Sequence, residues 1–337
     1  MSQISRRNLL LAASAVLAAP HIGFARKRLP VLGVLAPGRK PPRNDPTHLL
    51  FMQHLRELGW VDGKTLRIER AYCGDDLGRL PELADILAAK RVDVIWTASP
   101  QGAVAAARAT TTIPIVFWRV GFPVELGLVD KLARPGRNVT GLAWFANEGI
   151  YVKRYQLLRE LAPHVDRVGT IYAPNTMYDV SGHPLDLKWL RDKITAGTQA
   201  MGLQRRVFLI RRLADFRPVF DAIERWRADS LMVHDVPLTI LARRRIVDFA
   251  RRRRLVDVYY AREWAEAGGL MSYGIVFVPT LVRSLDMVDR ILRGANPANM
   301  PVELPSEYEL VVNLRTAKAQ DFEVPQSILL RADRVIQ

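Results

Sequence analysis

The sequence predicts an α/β protein of two similar lobes, each a parallel sheet flanked by helices. Three observations carry that expectation. Short apolar, β-branched runs alternate with stretches of helical apolar spacing, the order that produces parallel sheets covered on both faces. The alternation runs once as far as Gly141 and then begins again. A chain of 337 residues is also long enough for two domains of ordinary size.

In the first series, "LPVLGVLAPG" reads as a strand ending in a Gly-Pro loop. Leu49, Leu50, Met52, Leu55 and Leu58 then mark a helix. "TLRIERAYC" is strand, "LGRLPELADILAAK" helix, "VDVIWTAS" strand, "PQGAVAAARATT" helix and "IPIVFWRV" strand. The second series opens with the helix "NEGIYVKRYQLLRELAP". Strands follow at "RVGTIYAP", "LQRRVFLI", "DSLMVHDVP" and "LVDVYYA", with helices between them. "GGLMSYGIVFVPTLVRSLDMVDRILRG" forms a last strand-loop-helix unit. No short repeat, low-complexity tract or long linker interrupts the pattern.

The first residues have a separate character. Arg6 and Arg7 precede an apolar run from Leu9 to Ala19, and small residues follow at Gly23 and Ala25. This is the order of a secretory signal, and the paired arginines point to the route that exports folded proteins. About a dozen apolar residues fall short of the ~20 that span a bilayer. Residues 1–25 are therefore expected to be a cleaved signal peptide, cut after Ala25, and the mature protein periplasmic. The single cysteine, Cys73, excludes an intramolecular disulfide.

The formal charge of +15 raises the question of nucleic acid. The densest runs, Arg243 to Arg245 and Arg251 to Arg254, lie in one helical stretch. Adjacent arginines spread around a helix and suit a solvated face better than a groove reader. No zinc-finger spacing or aromatic RNA-binding motif accompanies them, so no nucleic-acid partner is expected. Nor is there a G-x-S-x-G elbow, a phosphate loop, a G-x-G-x-x-G or an H-E-x-x-H. No cofactor or metal is expected.

Ligands of open parallel sheets bind beyond the carboxyl ends of the strands, which makes the post-strand loops informative. Candidates there are Pro37 and Gly38, then Ser99, Pro100 and Gln101, then Arg119 and Phe122. The second series contributes Asn175, His234, Asp235 and Tyr273. Ser99 is a good N-cap and Pro100 fits the first helical turn, so free N–H groups there favour an anion. Arg119 ends a strand expected to be buried on both faces, where a guanidinium needs a wet place or an anion. His234-Asp235 could serve acid-base chemistry, but no nucleophile or metal set accompanies it, and a polar ligand contact is the preferred reading.

Six stretches carry a resemblance to a known family: "TTIPIVF", "LARPGRNVTGLAWF", "KRYQLLRELAP", "EWAEAGGLMSYG", "VDRILRGANPANMPVELPSEYELVVNLRTAKA" and "VPQSILLRADRVI". With these stretches the chain resembles, roughly from Leu32 to Ile336, the substrate-binding proteins of ABC uptake transporters, in the branch related to bacterial tryptophan/tyrosine-binding proteins. The resemblance implies a type I-like periplasmic-binding-protein fold with three crossing strands and a ligand cleft between the lobes. It places residues 30–142 with 268–304 in lobe 1, and 143–267 with 305–337 in lobe 2. Crossings are then expected near Gly141 to Trp144, near Ala267 to Leu270, and near Val302 to Val312. It further implies a monomeric carrier, a small-molecule ligand and a cognate membrane permease. Aromatic residues suit such a cleft, with Trp144, Phe145, Tyr178, Trp264 and Tyr273 as candidates. In one place the chain departs from the family. Where the family commonly has "VGDPV", this chain reads "VGFPV" with Phe122 in place of the acid. With Arg119 close by, that departure favours an anionic ligand with an apolar or aromatic body over an α-amino acid. The alternatives are an enzyme on a similar scaffold, using His234 and Asp235, and a ligand-sensing receptor domain.

The export reading has a direct test. The double substitution Arg6→Lys with Arg7→Lys should leave unprocessed precursor in the cytoplasm, as fractionation would show. Normal export of that variant would exclude the twin-arginine route.

Overall fold

The computed structural model describes residues 28–144, 149–172, 178–184, 186–234 and 236–337. The expected signal peptide, Phe145, Asn175 and Asp235 lie outside them. The first sheet has five strands, β1 (Val31–Ala36), β2 (Arg67–Tyr72), β3 (Val94–Thr97), β4 (Ile115–Val120) and β5 (Val139–Ala143). They are ordered β2-β1-β3-β4-β5 and all parallel. Strands β3, β4 and β5 are almost wholly buried, which is why they read as unbroken apolar runs rather than alternating ones.

Helices cover both faces of this sheet. Helix α1 (Pro46–Glu57) starts at Asp45, whose carboxylate accepts from the His48 N–H at 2.8 Å, with Pro46 in the first turn. Phe51 and Leu55 from α1 pack on one face. Helices α2 (Leu80–Ala89) and α3 (Pro100–Ala109) close the other face through Leu80, Ala84, Leu87 and Ala103.

The chain leaves β5 and enters α4 (Gly149–Leu161), which opens the second lobe. There β6 (Arg167–Tyr172), β7 (Gln204–Leu209), β8 (Ser230–Val233), β9 (Val256–Tyr259), β10 (Met271–Ile275), β11 (Tyr308–Asn313) and β12 (Arg334–Ile336) form the order β12-β11-β10-β9-β8-β6-β7. All neighbours are parallel except β10 and β11. Helices α4 and α5 (Lys188–Ala200) bury Leu157, Leu158, Leu190 and Ile194 on one face. Helix α6 (Phe216–Arg225), the short α7 (Pro237–Leu241), α8 (Arg243–Arg252) and α9 (Arg262–Glu266) lie on the other, around Phe216, Ile246, Phe249 and Trp264.

One expected boundary is corrected. Residues 268–275 do not belong to the first lobe, because Met271 and Ser272 pair with β9 and the whole of β10 pairs with β11. The Gly268-Gly269 pair is a turn into this strand, with Gly268 at φ +108 and no room for a side chain on Gly269 beside the Tyr259 ring. The second passage between lobes therefore falls at Val276. Beyond it, α10 (Phe277–Leu292) lies on the first lobe against α1 and strands β3, β4 and β5. Two indole N–H groups pin it there, Trp96 donating to Ser284 at 3.0 Å and Trp118 to Thr280 at 2.9 Å. Buried indoles require such acceptors. The chain returns beside β5, where Glu303 bridges Leu142, before entering β11. Helices α11 (Leu314–Ala319) and α12 (Gln326–Leu329) finish the second lobe.

Gly274 in β10 faces the backbone of the segment after β9. A Cβ on it would lie 1.6 Å from the Tyr260 carbonyl oxygen. Gly274→Ala should therefore cost about 3 kcal/mol or more, since the obstruction is backbone and cannot rotate away. Urea unfolding would measure it, and an unchanged midpoint would contradict this packing.

Candidate functional site

The strand end at Arg119 is not regular. The register of β4 on β5 shifts between Trp118 and Val120, and Arg119 has φ +65, the left-handed region that non-glycine residues seldom occupy. A bulge of this kind re-aims a side chain. Here it carries the guanidinium out of the sheet and between two rings, with its carbon 4.2 Å from the centre of Trp144 and 4.2 Å from that of Phe277. Trp118 stands at 5.3 Å. Trp144 follows β5 at the first passage between lobes, and Phe277 begins α10 just after the second.

Arg119 lines a cavity of about 310 Å³ between the lobes. The first lobe's wall contains Pro37, Gly38, Ser99, Pro100, Gln101, Phe122 and Trp144 with Arg119. Ser99 caps α3, its hydroxyl accepting from the Gly102 N–H at 3.0 Å. The second lobe's wall is richer in rings. His234 stacks on Tyr151 at 5.5 Å and meets Tyr172 edge-on at 5.1 Å, with Tyr260 at 5.9 Å. Leu187, Leu190 and Ile194 extend the apolar surface, while Arg191 and Arg205 add charge. Three arginines thus line the cavity, and no carboxylate does among the described residues.

His234 lines this cavity, half-buried among the rings of the second lobe. Burial, together with the charges of Arg205 and Arg154, pushes its pKa down to about 3. It is a neutral imidazole at physiological pH. Arg154 is itself buried, donating from Nε to the Tyr273 carbonyl at 2.7 Å with its guanidinium 3.5 Å above the Tyr260 ring. Burial raises the Tyr172 phenol, and the charge of Arg191 opposes that shift.

Away from the passages between them, the lobes also touch at the cleft's edge. Phe122, at φ +57, leaves the first lobe and joins the apolar cluster of the second with Leu187 and Leu190. Its ring meets Trp189 edge-on at 5.7 Å. Nearby, Arg108 donates from Nε to the Val180 carbonyl at 2.9 Å, and the Val180 N–H donates to the Leu126 carbonyl at 2.9 Å.

Not every expected site residue reaches the cavity. Tyr273 does not line it, because its ring packs on Tyr308 at 6.1 Å inside the second lobe. Tyr178 is exposed and bridges Pro184. Trp264 is core, stacked on Tyr259 at 4.7 Å. In the other direction, sequence reasoning missed Tyr151, Tyr172, Tyr260, Arg191 and Arg205. Tyr172 ends β6 and Tyr260 follows β9, so the strand-end rule could have found both. Arg191 and Arg205 sit within α5 and β7, where nothing local separates them from the chain's other basic residues.

Two parallel-sheet lobes with a ligand-sized cavity between them define a type I periplasmic binding protein. More specifically, residues 46–336 match the family described as ABC transporter substrate binding protein, and the chain belongs to it. The family's members are solute-binding proteins, not enzymes. A curated relative, the tyrosine-binding protein of Clostridioides difficile, is 24% identical over 283 residues, or 84% of this chain and 78% of the relative. A Streptococcus pneumonia domain solved in complex with L-Trp is 22% identical with a TM-score of 0.77, covering 91% of this chain and 99% of that one. A conserved domain protein from Vibrio cholerae superposes with a TM-score of 0.80 at 23% identity, covering 91% of this chain and 100% of that one.

The neutral state of His234 has consequences for stability. The unfolded chain takes up a proton at the ordinary histidine pKa near 6.5, and the folded chain does not until about pH 3. Folded stability should fall as pH drops from 6.5, and His234→Gln should remove this part of the loss. Between pH 6.5 and 4 the variant should gain roughly 2–3 kcal/mol relative to wild type. In NMR spectra, the His234 ring signals should stay fixed from pH 8 to 4.5. A midpoint near 6.5 would contradict this site.

Proposed function

We propose that the chain is the extracytoplasmic solute-binding component of an ABC uptake transporter. It captures a small organic carboxylate with an apolar or aromatic body, closes its lobes over it and delivers it to a membrane permease. The observation that carries this reading is the charge of the cavity wall, with three arginines and no described carboxylate among rings and aliphatic side chains. A desolvated guanidinium gains most from a carboxylate, which it can bind through two parallel N–H donors. An α-ammonium group would meet only like charge and neutral groups on the described wall. Export is supported by the leading segment of the sequence and by the family. No helix among the described residues is long and apolar enough to cross a membrane.

Lobe closure is supported by the contacts at the cleft's edge. Phe122 in the second lobe's apolar cluster and Val180 against Leu126 are contacts that separated lobes would lose. A ligand touching both walls adds to them only in the closed form, and that differential affinity shifts the balance.

A second reading, an aromatic amino acid as ligand, is favoured by the relatives that bind tyrosine and L-Trp. Calorimetry with matched pairs separates the two: 3-phenylpropionate against L-phenylalanine, and 3-indolepropionate against L-tryptophan. The deaminated acid should bind tighter in each pair. Arg119→Ala should weaken that acid about tenfold to a hundredfold, the equivalent of roughly 1.5–3 kcal/mol for hydrogen bonds to a charged group. Preference for the amino acid, or normal binding by Arg119→Ala, would overturn the carboxylate reading.

A further inference from the structure

We propose, on the basis of the carboxylate reading above, that the cavity has a second anion-binding pole at Arg205, on the other lobe from Arg119. Its ligand then carries an acidic group at each end of an apolar or aromatic body.

Arg205 lies on β7, the edge strand of the second sheet. Side chains alternate along a strand, so Arg205 and Val207 share a face and both line the cavity, while Phe208 turns into the opposite core. The guanidinium is held by neutral groups. Its Nε donates to the Tyr155 hydroxyl at 3.0 Å, which is itself paired with the Thr170 hydroxyl at 3.1 Å. Its Nη1 donates to the Thr195 hydroxyl at 3.5 Å. A guanidinium has five N–H donors, so both donors on Nη2 and one on Nη1 remain. Surface arginines of this chain such as Arg253 and Arg293 lie 2.6 and 2.7 Å from carboxylates. Arg205 has no carboxylate partner among the described residues. Hydroxyls fix its orientation without cancelling its charge, which is the arrangement of a preformed receptor for an incoming anion.

Its surroundings strengthen the charge. His234 is near enough for Arg205 to hold down its pKa, and a neutral imidazole still offers one N–H donor. The positive charge of Arg154 acts on the same ring. Arg191 also lines the cavity, its charge partly answered by Asp186 at 3.4 Å. Arg119 stands instead on the first lobe between Trp144 and Phe277. Two cationic poles on separate lobes repel each other as an empty cleft closes. A ligand with an anion at each end replaces that repulsion with two charge-assisted contacts, which exist together only in the closed form.

The test is calorimetry on the purified protein with three probes of one skeleton: 3-phenylpropionate, 3-(4-carboxyphenyl)propionate and the aryl methyl ester of the latter. The diacid should bind at least tenfold tighter than the monoacid, and the ester should show none of that gain. Arg205→Gln should abolish the diacid's advantage, costing the diacid at least tenfold more affinity than the monoacid. Arg205→Lys, which keeps charge but loses the fork, should retain part of the advantage and guards against a folding defect in the first variant. Arg119→Gln should weaken monoacid and diacid alike. A diacid no tighter than a monoacid that still depends on Arg119 would overturn the second pole and leave the carboxylate reading standing. Failure of every acid, with binding of the amino acids, would overturn that reading itself.

Discussion

The guanidinium of Arg119, held between the rings of Trp144 and Phe277, is the interaction on which the rest of this architecture depends. The arginine ends a first-lobe strand, and the two rings belong to the first and second passages between lobes. One cation thus ties the cavity wall to both passages between lobes. Each such contact contributes about 0.5–2 kcal/mol, enough to offset the left-handed backbone at Arg119, whose conformation costs of order 1–3 kcal/mol.

The course of the chain follows from the same region. Strand β10 is completed by hydrogen bonds to β9 and β11 in the second lobe, and the helix after it is claimed by the first. The decision falls at Val276 because α10 presents hydroxyls to two buried indoles, Trp96 and Trp118, that have to donate somewhere. An apolar helix would cover that face equally well but leave both N–H groups unsatisfied, at about 1–3 kcal/mol each.

Charge is distributed differently in the cavity and on the surface. Arg244, Arg245 and Arg251 to Arg254 are exposed, and where they pair, as Arg253 does with Glu224 and Arg251 with Asp248, the pairs are of the exposed kind that contribute little. Arg119 and Arg205 are half-buried in the cavity wall among rings and hydroxyls, and Arg154 is fully buried behind it. There the field is less screened, and Arg205 and Arg154 add to the burial that holds the His234 pKa down.

The sequence by itself determined the class of fold, since two series of buried strands and amphipathic helices have few other ways to cover their apolar faces. It also located the strand-end loops, and through them Pro37, Gly38, Ser99, Pro100, Gln101, Arg119, Phe122 and His234, all of which line the cavity. Those residues were legible because the carboxyl ends of parallel strands converge whatever the details of packing. Tertiary structure alone decided the rest. It turned Tyr273 against Tyr308 and Trp264 against Tyr259, because alternation within a strand or turn does not reveal which neighbour waits on each side. It carried Phe122 into the other lobe's core. It brought Arg191 and Arg205 into the cavity from within a helix and from the start of a strand, a meeting of residues distant in the chain that local periodicity cannot record.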